Sequence, residues 1–112
     1  KQFITNPEGN AVNLEYLDID YSEVVPHIMP VLLPSAVNRD LVRTELLHRG
    51  IPTGIHYKPN HWYSYYCDTS HDDLSVTNQI YPRLLTLPLH PDLEVSDVDH
   101  IVKSLVDVLT HA

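Results

Sequence analysis

Residues Gly50–Tyr66 read GIPTGIHYKPNHWYSYY. Gly50 closes a helix that Asn38 is placed to cap. Val42 and Leu46 lie one turn apart on that helix, and Leu41 and Leu47 widen its apolar face. Arg49 falls in the last turn and Gly50 just beyond it, where glycine commonly ends a helix. Ile51 to Tyr57 then reads as a short strand, with Ile51 and Ile55 on one side. His56, Tyr57 and His61 follow at the strand end with four further aromatics, Trp62, Tyr63, Tyr65 and Tyr66. A solvated loop has no need of so many rings, so the cluster points to a polar ligand pocket.

Outward from this stretch, two more helices are expected. Asp72 or Asp73 can cap one carrying Val76, Ile80 and Leu84, which Pro82 must end or kink. Ser96 is expected to cap the other, where Val98, Ile101, Val102, Leu105 and Leu109 form an i, i+3, i+4, i+7 stripe. Leu85 to Leu89 is a further strand candidate. Upstream, Val12 to Tyr21 alternates loosely, and Val24 to Leu33 is apolar but broken by Pro26 and Pro30, which fits an edge or interrupted strand. Residues 1–13 read as a loosely anchored lead-in. Strands and helices alternate, but the strands are too few and irregular for a doubly wound sheet. The expected fold is therefore α+β: one domain over residues 1–112, with a small, largely antiparallel sheet covered by helices.

The 112 residues carry a net charge of −8, which argues against binding nucleic acid or anionic membrane through clustered cations. No apolar run approaches the roughly 20 residues of a membrane span, and a cytoplasmic location is expected. The one cysteine, Cys67, cannot form an internal disulfide.

Several chemistries are open to the residues of the loop. His56 and His61, with Cys67 and His71, leave a zinc site open, although no ligand spacing is recognisable. Ordinary loop histidines are the plain alternative. His90 and the scattered His27, His48, His100 and His111 read as structural. Asp68 beside Cys67 disfavours a thiolate nucleophile. Covalent amine chemistry needs a desolvated lysine. The chain has three, Lys1, Lys58 and Lys103, and only Lys58 is near the loop. No catalytic residue is assigned to this chain.

The order Arg39–Leu47, Gly50-Ile51, His56-Tyr57-x-Pro59-x-His61 with Tyr66, then Leu87-Pro88-Leu89-His90-Pro91 and the Asp97–Val102 helix resembles the C-terminal part of the DegT/DnrJ/EryC1/StrS aminotransferases. That resemblance implies the small C-terminal domain of a fold-type-I enzyme dependent on pyridoxal 5′-phosphate. Such enzymes transfer an amino group, usually from glutamate, to a nucleotide-linked keto-sugar, and act as homodimers. It also implies that the Schiff-base lysine and most cofactor contacts belong to a separate N-terminal domain, leaving the isolated chain inactive. His56, Tyr57, His61 and Tyr66 match the family's sugar-side loop and are the expected substrate contacts. Trp62, Tyr63 and Ser64 depart from the family pattern there. A stand-alone binding module without catalysis is the alternative.

Overall fold

The structure, a computed structural model, describes residues 2–5, 9, 11–68 and 72–112. Strands β1 (Gln2–Thr5), β2 (Ala11–Tyr16), β3 (Met29–Leu32) and β4 (Leu84–Leu87) form one antiparallel sheet in that order. The three-stranded part is β2-β3-β4, and β1 extends it along the first half of β2. Helices α1 (Arg39–His48), α2 (Ser75–Ile80) and α3 (Val95–Thr110) complete the α+β fold.

Strand alternation sorts the sheet into two faces. Leu14, Val31 and Leu85 are buried on the inner face against Val42, Leu46, Ile101, Leu105 and Leu109 of α1 and α3. Pro30 pairs with Thr86 and Leu32 with Leu84 on the opposite, outer face. Burying a leucine contributes about 1.5–3 kcal/mol, so the inner cluster is the dominant stabilising unit.

The Gly50 stop forms as expected. The Gly50 N–H donates to Leu47 O and the Ile51 N–H to Leu46 O, both at 2.9 Å, and Gly50 takes a φ of +79°. This double bond satisfies the last carbonyls of α1, and Ile51 and Leu46 meet in the core. Asn38 caps the other end, its Oδ1 accepting from Asp40 N at 2.9 Å.

Four expectations are corrected. The strand expected over Ile51–Tyr57 is a single bridge, Gly54 to Thr86, because in that register the next rung sets Pro52 against Pro88, and neither has an N–H to donate. The helix cap expected at Ser96 is Glu94, in a reciprocal capping box with Asp97. Leu84, expected on the second helix, opens β4, since Pro82 sits in a 3₁₀ turn over Tyr81–Arg83 that ends α2. Val24–Leu33 is strand only over Met29–Leu32. Thr86 points its backbone groups at Gly54, so Pro30 opposite it aims its nitrogen the other way, past the end of β2. A proline costs no ladder bond there. Within the stretch read as a lead-in, Gln2–Thr5 pair with Ala11–Leu14.

Candidate functional site

The loop root is fixed by β4. Gly54 N–H donates to Thr86 O at 2.9 Å, and Thr86 N–H donates to Gly54 O at 2.8 Å. Two residues on, His56 Nδ1 lies 3.0 Å from Thr86 Oγ1. Thr86 is only 6% exposed, although it belongs to the outer face. His56 and Thr86 line a shallow cleft of about 260 Å³ together with His27, Gly54 and Leu89. Its rim combines imidazole and hydroxyl groups with apolar walls, a lining suited to neutral hydroxylated ligands.

Beyond His56 the chain leaves the sheet. Tyr57 packs edge-on against the His56 ring, centroids 4.7 Å apart, and is 70% exposed. Lys58 Nζ lies 4.6 Å from the centre of the Tyr63 ring, a cation–π contact. A 3₁₀ turn over Asn60–Trp62 brings the next pair onto α2. There Asn78 Oδ1 lies 2.8 Å from His61 Nε2 and accepts from Trp62 Nε1 at 2.9 Å. Trp62 meets Tyr81 edge-on at 5.0 Å, and the Arg39 guanidinium stacks over that tyrosine at 5.0 Å. Arg39 also donates to Tyr81 O at 2.7 Å and to Asp40. Tyr66 follows in a turn, its N–H on Tyr63 O and its ring edge-on to Tyr65.

The expected contacts His56, Tyr57, His61 and Tyr66 thus divide between two anchor points. His56 belongs to the cleft at Thr86, while His61 belongs to the Asn78–Trp62–Tyr81 cluster. Tyr57 and Tyr66 lie on the exposed loop between and beyond them. Thr86 and Asn78 were not singled out from the sequence, and His27, read there as structural, lines the cleft. A lone threonine in the apolar run Leu84–Leu87 is the one signal that could have marked Thr86. His90 lines a different cleft, with His100 and Asp97. His71 lies outside the described residues. Among the described residues, no group of three His, Cys, Asp or Glu side chains is placed to hold a metal ion. No helix there is long and apolar enough to cross a membrane.

Comparison with known proteins supplies the frame. The family model of the DegT/DnrJ/EryC1/StrS aminotransferase family matches residues 9–106. A UDP-4-amino-4,6-dideoxy-N-acetyl-beta-L-altrosamine transaminase of Campylobacter jejuni is 26% identical over 97% of this chain, which spans 29% of that protein. Among solved structures, PseC of Helicobacter pylori, an aminotransferase of pseudoaminic acid biosynthesis, superposes with a TM-score of 0.70 at 25% identity. It covers 76% of this chain and 24% of its own. The aminotransferase TlmJ of Streptoalloteichus hindustanus gives 0.66 at 27% identity, covering 75% of this chain and 22% of its own. The family match runs through β2 to β4, the aromatic loop and most of α3 alike, so the chain belongs to the DegT/DnrJ/EryC1/StrS aminotransferase family.

Proposed function

We propose that this chain is the C-terminal small domain of a transaminase that aminates a nucleotide-linked keto-sugar, and that His56–Tyr66 forms the sugar-side wall of its active site. The observation that carries this reading is the family match over residues 9–106, which includes the whole loop. The altrosamine transaminase supports the substrate class, and its length supports a larger protein around this domain. Glutamate as amino donor and a homodimeric enzyme follow the same reading.

Aminotransferases of this family depend on pyridoxal 5′-phosphate, which supplies the electron sink for amino transfer. The described residues do not fit that group. The cleft at Thr86 has no lysine or arginine in its lining. Lys58 is held over Tyr63, and Lys103 lies on α3 away from the loop. Cofactor chemistry and the phosphate contacts therefore fall to the rest of the enzyme, and the isolated chain is inactive. The net charge of −8 agrees, because an acidic domain is a poor host for a nucleotide diphosphate. What this chain offers is a wall of rings and hydroxyls that orients a sugar.

The test is made in the complete enzyme. His56→Ala and His61→Ala each weaken nucleotide-sugar use by the equivalent of one hydrogen bond, about 0.5–1.5 kcal/mol, while cofactor absorbance stays normal. Unchanged sugar kinetics in both variants, or loss of cofactor in either, would refute the sugar-wall assignment.

A further inference from the structure

Thr86 stands in the apolar run Leu84–Leu87 and is only 6% exposed, so its hydroxyl is nearly shut away from water. Its N–H and C=O are both taken by Gly54. Among the described residues the hydroxyl meets one hydrogen-bonding group, His56 Nδ1 at 3.0 Å, and Thr86 is in turn the only hydrogen-bond partner of that ring. The contact can run two ways. If Nδ1–H donates, the threonine O–H is left without an acceptor, and a buried donor without a partner carries its full desolvation cost. If the hydroxyl donates, Nδ1 accepts and both groups are satisfied. The second arrangement places the proton of the neutral ring on Nε2. Other contacts fix the ring's orientation. Its Cε1 lies against Gly54, which has no side chain to displace it, and the Tyr57 ring stands edge-on to it. The Nε2–H is then the polar group His56 has to offer in a cleft whose lining holds no carboxylate, lysine or arginine.

We propose that Thr86 is the positioning residue of His56: its hydroxyl donates to Nδ1, holds the ring as the Nε2–H tautomer and presents that N–H to the cleft as a donor to an oxygen of the sugar. The substrate half of this statement rests on the sugar-wall reading; the tautomer half does not. Two-bond ¹H–¹⁵N spectra of the histidine-labelled chain, taken where the ring is neutral, read the tautomer directly, with His56 assigned from its loss in His56→Gln. The Nε2–H form is expected in the native chain and in Thr86→Ser, which keeps the hydroxyl. In Thr86→Val, which keeps the branched shape and removes the hydroxyl, the tautomers mix. A native Nδ1–H form, or a tautomer indifferent to Thr86→Val, overturns the proposal. Should Thr86→Val fail to fold, the native tautomer and its retention in Thr86→Ser decide, and Nδ1–H in either overturns it.

In the complete enzyme, Thr86→Val raises KM for the nucleotide-sugar several-fold, as His56→Ala does, and Thr86→Ser restores most of it. A tautomer that responds as expected while sugar kinetics stay unchanged would keep the positioning role and sink the sugar-wall reading.

Discussion

Thr86 directs all three of its hydrogen-bonding groups at one short stretch of chain. Its N–H and C=O pair with Gly54, and its hydroxyl meets His56. This leaves almost no room between Gly54 and the imidazole: a Cβ on Gly54 would stand 2.7 Å from His56 Cε1. The absence of a side chain at Gly54 is therefore a matter of close approach. Gly54→Ala should push the ring off Thr86 and break the 3.0 Å contact. The expected cost is about 0.5–1.5 kcal/mol in stability, that of one hydrogen bond. Denaturant unfolding measures the cost, and a crystal structure of the variant shows the ring. An imidazole still seated on Thr86 would mean that the neighbouring backbone yields instead.

At the scale of elements, Arg83 ties the turn after α2 to the sheet. Arg83 Nε donates to Leu33 O at 2.7 Å and its Nη2 to Glu15 at 2.7 Å, while its own carbonyl accepts from Leu33 N at 2.9 Å. One residue thereby ties β2, the end of β3 and the start of β4. Glu15 is half exposed, so solvent screening discounts the ion pair. Arg83→Leu is expected to destabilise the domain by roughly 1–3 kcal/mol, mainly through the lost bond to the buried strand end. A shift in urea midpoint without change of slope would register it, and no shift would show the bracket to be idle. Such cross-chain ties explain what the sequence made legible. Helices α1 and α3 were readable because their apolar stripes, and the Asn38 cap of α1, are local. The aromatic loop stood out as a candidate because its rings are nearly consecutive. The Ile51–Tyr57 strand was misread because its apolar residues serve the core at Ile51 and a bridge at Gly54, not a ladder. Thr86 and Asn78 were overlooked because each meets its histidine from a distant part of the chain, 30 and 17 residues away. No spacing rule links such pairs.

At the scale of the whole molecule, α1 and α3 cover the inner face of the sheet. The outer face keeps an apolar groove of about 340 Å³, lined by Pro30, Leu32, Ile80 and Leu84 with Tyr16 and Leu17 at its edge. The radius of gyration is 15.6 Å, against about 13 Å for a compact domain of this length. On the reading proposed above, this open apolar groove is the surface on which the rest of the enzyme would dock. In the isolated chain the groove should bind an apolar fluorescent dye, and Leu32→Asp should abolish that signal; in the complete enzyme the native sequence should bind little. Equal dye binding in both forms would show that the large domain docks elsewhere. The clamp at Thr86 has one more consequence, for diversification. It grips the loop at its root, and Asn78 grips it again at its first turn, so the stretch beyond Trp62 hangs from two fixed points. Residues from Tyr63 onward can then be exchanged, lengthened or shortened without re-registering the sheet. On the sugar-wall reading proposed above, a change of sugar preference is in that sense a modular event: new side chains are tried on an unaltered hinge post, and the fold is not renegotiated each time.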